Sequence, residues 1–264
     1  MPRESIDIGG VRRTLLHVPP AALDPAAPLL VALHGTSQQG ATLRRFSGRT
    51  LDALAHRIGA DLVYLDGIGR AWNDARRIRT SRAQREDVDD VAFVRAVVAR
   101  FGRPAIAVGY SNGGQLVHRL LREAPGLLAG AATIAAGLPV DGDFTLVGTP
   151  PDDVPVLLLH GTGDPIVPYD GGATRMLGRT RGSVRSARET ALSYAPATAP
   201  TVTRSGALER ADWGTVRLVT QDGVGHVVPN RITSPARLFV GPSHHDLDLG
   251  EEIEAFFGLH RSTP

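Results

Sequence analysis

Val108-Gly109-Tyr110-Ser111-Asn112-Gly113-Gly114 is a short apolar run that breaks into Gly-x-Ser-x-Gly and then into a helical pattern. Upstream, Pro104 to Val108 reads as a buried strand. Downstream, Leu116, Val117, Leu120 and Leu121 fall on one helical face. A strand that turns straight into a helix holds its apex residue strained, side chain in the open, with the helix N-terminus beneath it. Glycine on either side has a steric reason: a Cβ at 109 or 113 would collide where strand and helix nearly touch. Ser111 is thereby a candidate nucleophile. In a chain with 30 glycines the bare pattern does not stand alone, and its partners decide its meaning.

Outward from that turn the chain alternates strands and helices. Ser5 to Ile8 and Thr14 to Val18, around Gly9-Gly10, predict a hairpin. Leu29 to Leu33 is a continuous apolar strand ending at His34-Gly35-Thr36, and Thr42 to Ile58 predicts one helix. Leu62 to Leu65 is a strand leading into a long polar loop, Asp66 to Glu86, which carries Trp72 and arginines at 76, 77, 79, 82 and 85. Asp87, Asp89 and Asp90 open a helix whose apolar stripe is Val91, Val94, Val98 and Phe101. Beyond the Ser111 helix, Gly130 to Ala136 and Val154 to Leu159 read as strands, 186 to 195 as helix and Ala195 to Thr203 as loop. Val216 to Val219 reads as the last strand and Glu251 to Phe257 as a closing helix. This predicts an α/β fold, a mostly parallel central sheet with helices on both faces and an antiparallel N-terminal edge. At 264 residues and 42% hydrophobic, a single domain over 1–264 is expected.

Composition narrows the function classes. With no cysteine, disulfides, thiolate metal sites and a cysteine nucleophile are excluded. All 29 strongly basic residues are arginine, scattered among acids for a net charge of +2, which argues against a nucleic-acid surface. No apolar run reaches a membrane span's length, and Met1 to Ile8 lacks a signal-peptide core. The chain as written is expected to be soluble and cytoplasmic; one trimmed of an export leader would read the same.

A serine hydroxyl at neutral pH needs a histidine to take its proton and a carboxylate to orient that imidazole. In parallel sheets such groups gather beyond the strands' carboxyl ends. Asp164 follows the Val154 to Leu159 strand and His226 follows the Val216 to Val219 strand, so the chain order is Ser111, Asp164, His226. Asp222 is a rival carboxylate beside His226. His244 and His245, in a polar loop, are rival histidines, and no third ligand of suitable spacing makes them a metal site. Thr36 and Asn112 occupy the positions from which two backbone N–H groups could face a developing oxyanion. Trp72 and Tyr110 are candidates for substrate binding, with a packed loop anchor the alternative for Trp72. His34 and His160 read as loop-fixing hydrogen-bonders. The arginine cluster reads as solvated loop, unless one member meets an anionic substrate.

Together, Leu33-His34-Gly35, Gly109 to Gly114, His160-Gly-Thr-Gly-Asp164-Pro-Ile-Val-Pro-Tyr169, Gly223-Val-Gly-His226 and Asp89 to Val94 resemble the α/β-hydrolase superfamily. Within it they resemble the polyhydroxybutyrate-depolymerase-like and feruloyl-esterase-like group, over roughly residues 25 to 258. The resemblance implies a carboxylic-ester hydrolase working through an acyl-enzyme, with Ser111 as nucleophile, His226 as base, Asp164 as orienter and no cofactor. Relatives of that group commonly carry cysteines and an aromatic residue after the catalytic histidine; here Val227-Val228-Pro229-Asn230 follows. The departures turn the expectation from solid polyester to a small soluble ester, aryl or short-acyl, with feruloyl esters and hydroxyalkanoate oligomers as further candidates. A peptidase or amidase on the same fold, or a binding protein that kept it, are the alternatives at this stage.

Overall fold

The computed structural model describes residues 3–261. The chain opens with β1 (Arg3–Ile8) and β2 (Val11–Val18), the predicted hairpin, and continues into β3 (Leu29–Leu33). Two short helices follow, α1 (Gly40–Phe46) and α2 (Thr50–Ile58), then β4 (Leu62–Asp66), a one-turn α3 (Arg82–Arg85) and α4 (Asp90–Phe101). Next come β5 (Ala105–Tyr110), α5 (Asn112–Glu123), β6 (Gly130–Ile134), β7 (Val156–Gly161) and a small hairpin of β8 (Gly172–Met176) and β9 (Arg179–Val184). The chain closes through α6 (Ala187–Leu192), β10 (Thr201–Ser205), β11 (Leu208–Asp212), β12 (Val216–Gln221), α7 (Arg237–Val240) and α8 (Leu249–Phe257).

Among the described residues, ten strands form one sheet in the order β1-β2-β4-β3-β5-β6-β7-β12-β11-β10. From β4 to β12 the pairings are parallel, and an antiparallel hairpin is added at each end. β3 lies between β4 and β5, so the chain leaves its carboxyl end to one side and returns on the other. Such a reversal opens a crevice at the strand ends.

Alternation along the strands builds the two sides. Leu29, Val31 and Leu33 face one cluster with α4, α5 and α6 (Val94, Leu116, Leu120, Ala191). Leu30 and Ala32 face the other with α1, α2 and α8 (Leu43, Leu54, Ile253). Because helices cover both faces, β3, β4, β5, β6 and β7 are buried along their whole lengths, which is why they read as unbroken apolar runs.

Two predicted elements differ, and two pairs of strands are unpredicted. The single helix over 42–58 is broken at Gly48 and Arg49, both at positive φ (61° and 59°), where Asn230 packs in: a Cβ on Gly48 would lie 2.5 Å from its Oδ1. The predicted strand over 130–136 stops at Ile134, because Ala135 turns at φ 51°. The C-terminal edge and the β8–β9 hairpin escape the sequence reading because their residues are mostly solvated and carry no apolar period; every residue of β10 is exposed.

Behind α5, His118 donates from Nε2 to the Ala136 carbonyl (3.1 Å) and accepts at Nδ1 from the Tyr194 hydroxyl (2.7 Å). Burial pushes its pKa down from 6.5 to about 4, and His34 behaves likewise. Between those values the unfolded chain binds protons that the folded chain refuses, so stability falls as pH drops through that window. Replacing His118 by Gln is expected to make the pH dependence of urea-unfolding stability shallower by about 1 kcal/mol per pH unit between pH 6 and 4.5. An unchanged slope would mean that His118 takes up its proton in the folded protein.

Candidate active site

The turn from β5 to α5 puts Ser111 at φ 53° and ψ −117°, a conformation non-glycine residues rarely adopt. Close contact explains it. A Cβ on Gly109 would lie 2.4 Å from the Gly113 carbonyl oxygen, and one on Gly113 would lie 2.1 Å from that of Leu33. Gly113 is therefore required by the neighbouring strand end, a partner the motif alone does not name. The Ser111 N–H donates to the Ile134 carbonyl (2.8 Å), tying the apex to β6.

His226 follows β12 in a loop held from several sides. Its N–H donates to the Val240 carbonyl (2.5 Å), and the Gly225 N–H donates to that of Pro242 (2.8 Å). The Tyr110 hydroxyl donates to the His226 carbonyl (2.8 Å). So held, His226 places Nε2 2.9 Å from Ser111 Oγ and Nδ1 2.7 Å from Asp164 Oδ2. With Asp164 ionised, Nδ1 carries the proton and Nε2 is free to accept from the serine.

Asp164 is buried, and its Oδ1 accepts from the N–H groups of Ile166 (2.8 Å) and Val167 (2.9 Å). Burial pushes its pKa up, but His226 and His160 outweigh that and hold it well below the ordinary carboxylate range. The rivals are placed elsewhere. Asp222 is exposed and accepts from the Thr162 hydroxyl (2.8 Å). His245 hydrogen-bonds the Asn230 carbonyl (2.7 Å) and Ser234 Oγ (3.0 Å). Among the described residues, no group of three His, Asp or Glu side chains is placed to hold a metal ion.

A cavity of about 30 Å³ opens beside Ser111, bordered by Thr36, Asn112, Gln115, Ile166, Met176 and Arg181 among others. Thr36, in the turn after β3, and Asn112, at the start of α5, border the cavity with the serine, and among the described residues no protein acceptor takes either backbone N–H. Trp72 and Tyr110, expected at the substrate, border no part of it. Trp72 is fully buried and donates from Nε1 to the His34 carbonyl (2.8 Å), so it anchors the loop. Tyr110 is spent on the His226 carbonyl and packs against Gly35.

The loop after β4 is fastened to the nucleophile turn. Asn112 Oδ1 accepts from the Trp72 N–H (2.7 Å), and its Nδ2 donates to Asp74 (2.6 Å). Asp74 also takes Arg76 and Gln84 Nε2 (3.0 Å). Asp74, Gln115 and Arg181 carried no sequence signal, because none of them stands in a motif or on a periodic face.

No protein-family profile matches the chain. Among solved structures, an acetyl xylan esterase from Aspergillus awamori superposes with a TM-score of 0.64 at 15% identity, covering 98% of this chain and all of that one. With the sheet order already given, this settles the architecture. The chain has the α/β-hydrolase fold. A second structure, named sOPH, shares it at a TM-score of 0.51 and 16% identity over 73% of this chain and 74% of that one. Two sequence relatives carry esterase names. "Putative esterase NocK" of Nocardia uniformis subsp. tsuyamanensis is 34% identical over 181 residues, 65% of this chain and 51% of that protein. "Feruloyl esterase B" of Piromyces equi is 29% identical over 168 residues, 58% of this chain and 29% of that protein. The chain thus matches about half the length of the first relative and less of the second.

Because buried Asp74 satisfies Asn112, Gln84 and the guanidinium of half-buried Arg76, Asp74→Ala is expected to lower the free energy of unfolding in urea by about 3–5 kcal/mol. Asp222→Ala, at an exposed carboxylate, is expected to cost less than about 1 kcal/mol. Equal losses would mean that the Asp74 cluster does not brace the turn.

Proposed function

We propose that this chain is a serine carboxylic-ester hydrolase acting on a small ester through an acyl-enzyme, without a cofactor. The observation that carries the reading is the unbroken relay from Ser111 Oγ to His226 (2.9 Å) and on to Asp164 (2.7 Å), beside an open cavity. The esterase names of both sequence relatives support the reaction class.

In this reading His226 Nε2 takes the hydroxyl proton as Ser111 Oγ attacks the ester carbonyl carbon. The imidazolium formed is paired with Asp164, already ionised and oriented by the amides of Ile166 and Val167. Negative charge moves to the carbonyl oxygen, where the N–H groups of Thr36 and Asn112 receive it, the second at a helix N-terminus. His226 then returns the proton to the departing alcohol, leaving the acyl group on Ser111. Water, activated by the same imidazole, releases the acid and restores the hydroxyl. Residues that stay fixed through both halves cost little reorganisation, and the braced turn supplies that fixity.

The space beside Ser111 is narrow, bordered closely by Ile166, Val167 and Met176, and this supports a preference for a short acyl group. Hydrolysis of p-nitrophenyl esters is expected to fall from acetyl to octanoyl, with an anilide cleaved far more slowly. Ser111→Ala is expected to lose at least ~10³-fold in kcat, and Asp164→Asn ~10³- to 10⁴-fold. Equal ester turnover by wild type and Ser111→Ala would overturn the reading; preferred cleavage of the anilide would move it to the amidases.

A further inference from the structure

Two guanidinium groups border the cavity beside Ser111: Arg76, from the loop after β4, and Arg181, from β9. Their situations differ. Arg76 spends its donors inside the protein. Its Nε lies 3.0 Å from each oxygen of Asp74, its Nη2 lies 2.6 Å from Oδ2, and its Nη1 donates to the Arg181 carbonyl at 3.0 Å. It is a neutralised strut that holds β9 in place over the cavity.

Arg181 has no such relief. Its Nε is buried without a hydrogen-bond partner, and among the described residues no carboxylate pairs with it and no acceptor takes its terminal nitrogens. Burial, and then the neighbouring cations Arg76 and Arg179, pull its pKa below the ordinary arginine range. Elsewhere this chain answers a buried or half-buried guanidinium with acceptors: Asp90 for Arg13, Glu252 for Arg210, and the His118 carbonyl and Tyr194 hydroxyl for Arg122. Asp164, across the site, is committed to His226 and to two backbone amides. The cavity therefore holds one positive charge with no counterion, on a half-buried group whose fork of donors matches a carboxylate.

From this we infer that the ester taken by this site also bears a carboxylate, which the terminal nitrogens of Arg181 bind while Ser111 attacks the ester carbonyl. The inference rests on the esterase reading of the same site and names the class of its substrate, a half-ester or an ester of an acid-bearing alcohol or phenol. The anion would supply the missing counterion, and the neutral analogue would leave the cation unpaired.

Two matched pairs separate the side of the ester that carries the acid: mono-p-nitrophenyl succinate against its methyl ester, and 4-acetoxybenzoate against its methyl ester. Binding is read by calorimetry on Ser111→Ala, and on the same protein carrying Arg181→Gln or Arg181→Lys. In at least one pair the acid is expected to bind ~10-fold or more tighter than its neutral partner. That preference is expected to vanish with Arg181→Gln and to survive in part with Arg181→Lys, which keeps the charge but loses the fork. Acid and neutral partner alike in both pairs, including no binding by either, overturns the inference, as does an acid preference that survives Arg181→Gln. Turnover of the same esters by wild type is scored separately. Arg181-dependent acid binding without any turnover leaves the inference standing and sinks the esterase reading; turnover of neutral esters without acid preference does the reverse.

Discussion

The carbonyl oxygen of Leu33 lies where a Cβ on Gly113 would be, 2.1 Å away, and the rest of the site depends on that approach. It presses the first turn of α5 against the end of β3. Ser111, between β5 and that turn, has no room for ordinary extended or helical backbone and is held at φ 53°. Strain of this kind costs about 1–3 kcal/mol and persists only where the surroundings fix it. Here the Ile134 carbonyl holds the Ser111 amide, and the Asn112 side chain is bolted to Trp72 and Asp74. The same closeness brings the start of α5 to the end of β3, and Thr36, in the loop that follows, borders the same cavity as Ser111 and Asn112.

Buried charge does the second part of the positioning. Asp90 lies under the sheet edge, where burial pushes its pKa up and Arg13 pulls it back at 2.5 Å. Its other oxygen accepts from the Asn73 amide (2.6 Å), next to the Asp74 that meets Asn112 and Arg76. A polar loop is thereby fixed in the interior by carboxylates rather than by apolar packing alone. Such networks add little net stability, but once satisfied they leave the loop few other arrangements. A loop pinned in this way borders the cavity through Arg76.

The polar loop over residues 66–86, with its arginines at 76 to 85 expected in solvent, meets partners that local sequence does not name. Polarity within a segment reports a need for partners, and water is only the commonest one. Asp74 finds Asn112 from 38 residues away and Arg13 finds Asp90 from 77. The edge strands β10 and β11 fail for the opposite reason: they bury so little that no period marks them, and only pairing with β12 defines them.

What the sequence determined by itself is the central parallel sheet, the helices packed on it, the glycine-flanked serine turn, and the order in which Ser111, Asp164 and His226 follow their strands. These rest on rules acting over a few residues: apolar period, the size of a missing Cβ, and the strand end as the place where loops collect. Only the tertiary structure decided that Asp164 rather than Asp222 meets His226. It also buried Trp72 and Tyr110 as anchors, and brought Arg181 from an unpredicted hairpin to the serine with its charge unanswered. Those outcomes depend on where separate loops arrive in space, and a hydrogen bond of under 3 Å is set by that arrival rather than by distance along the chain.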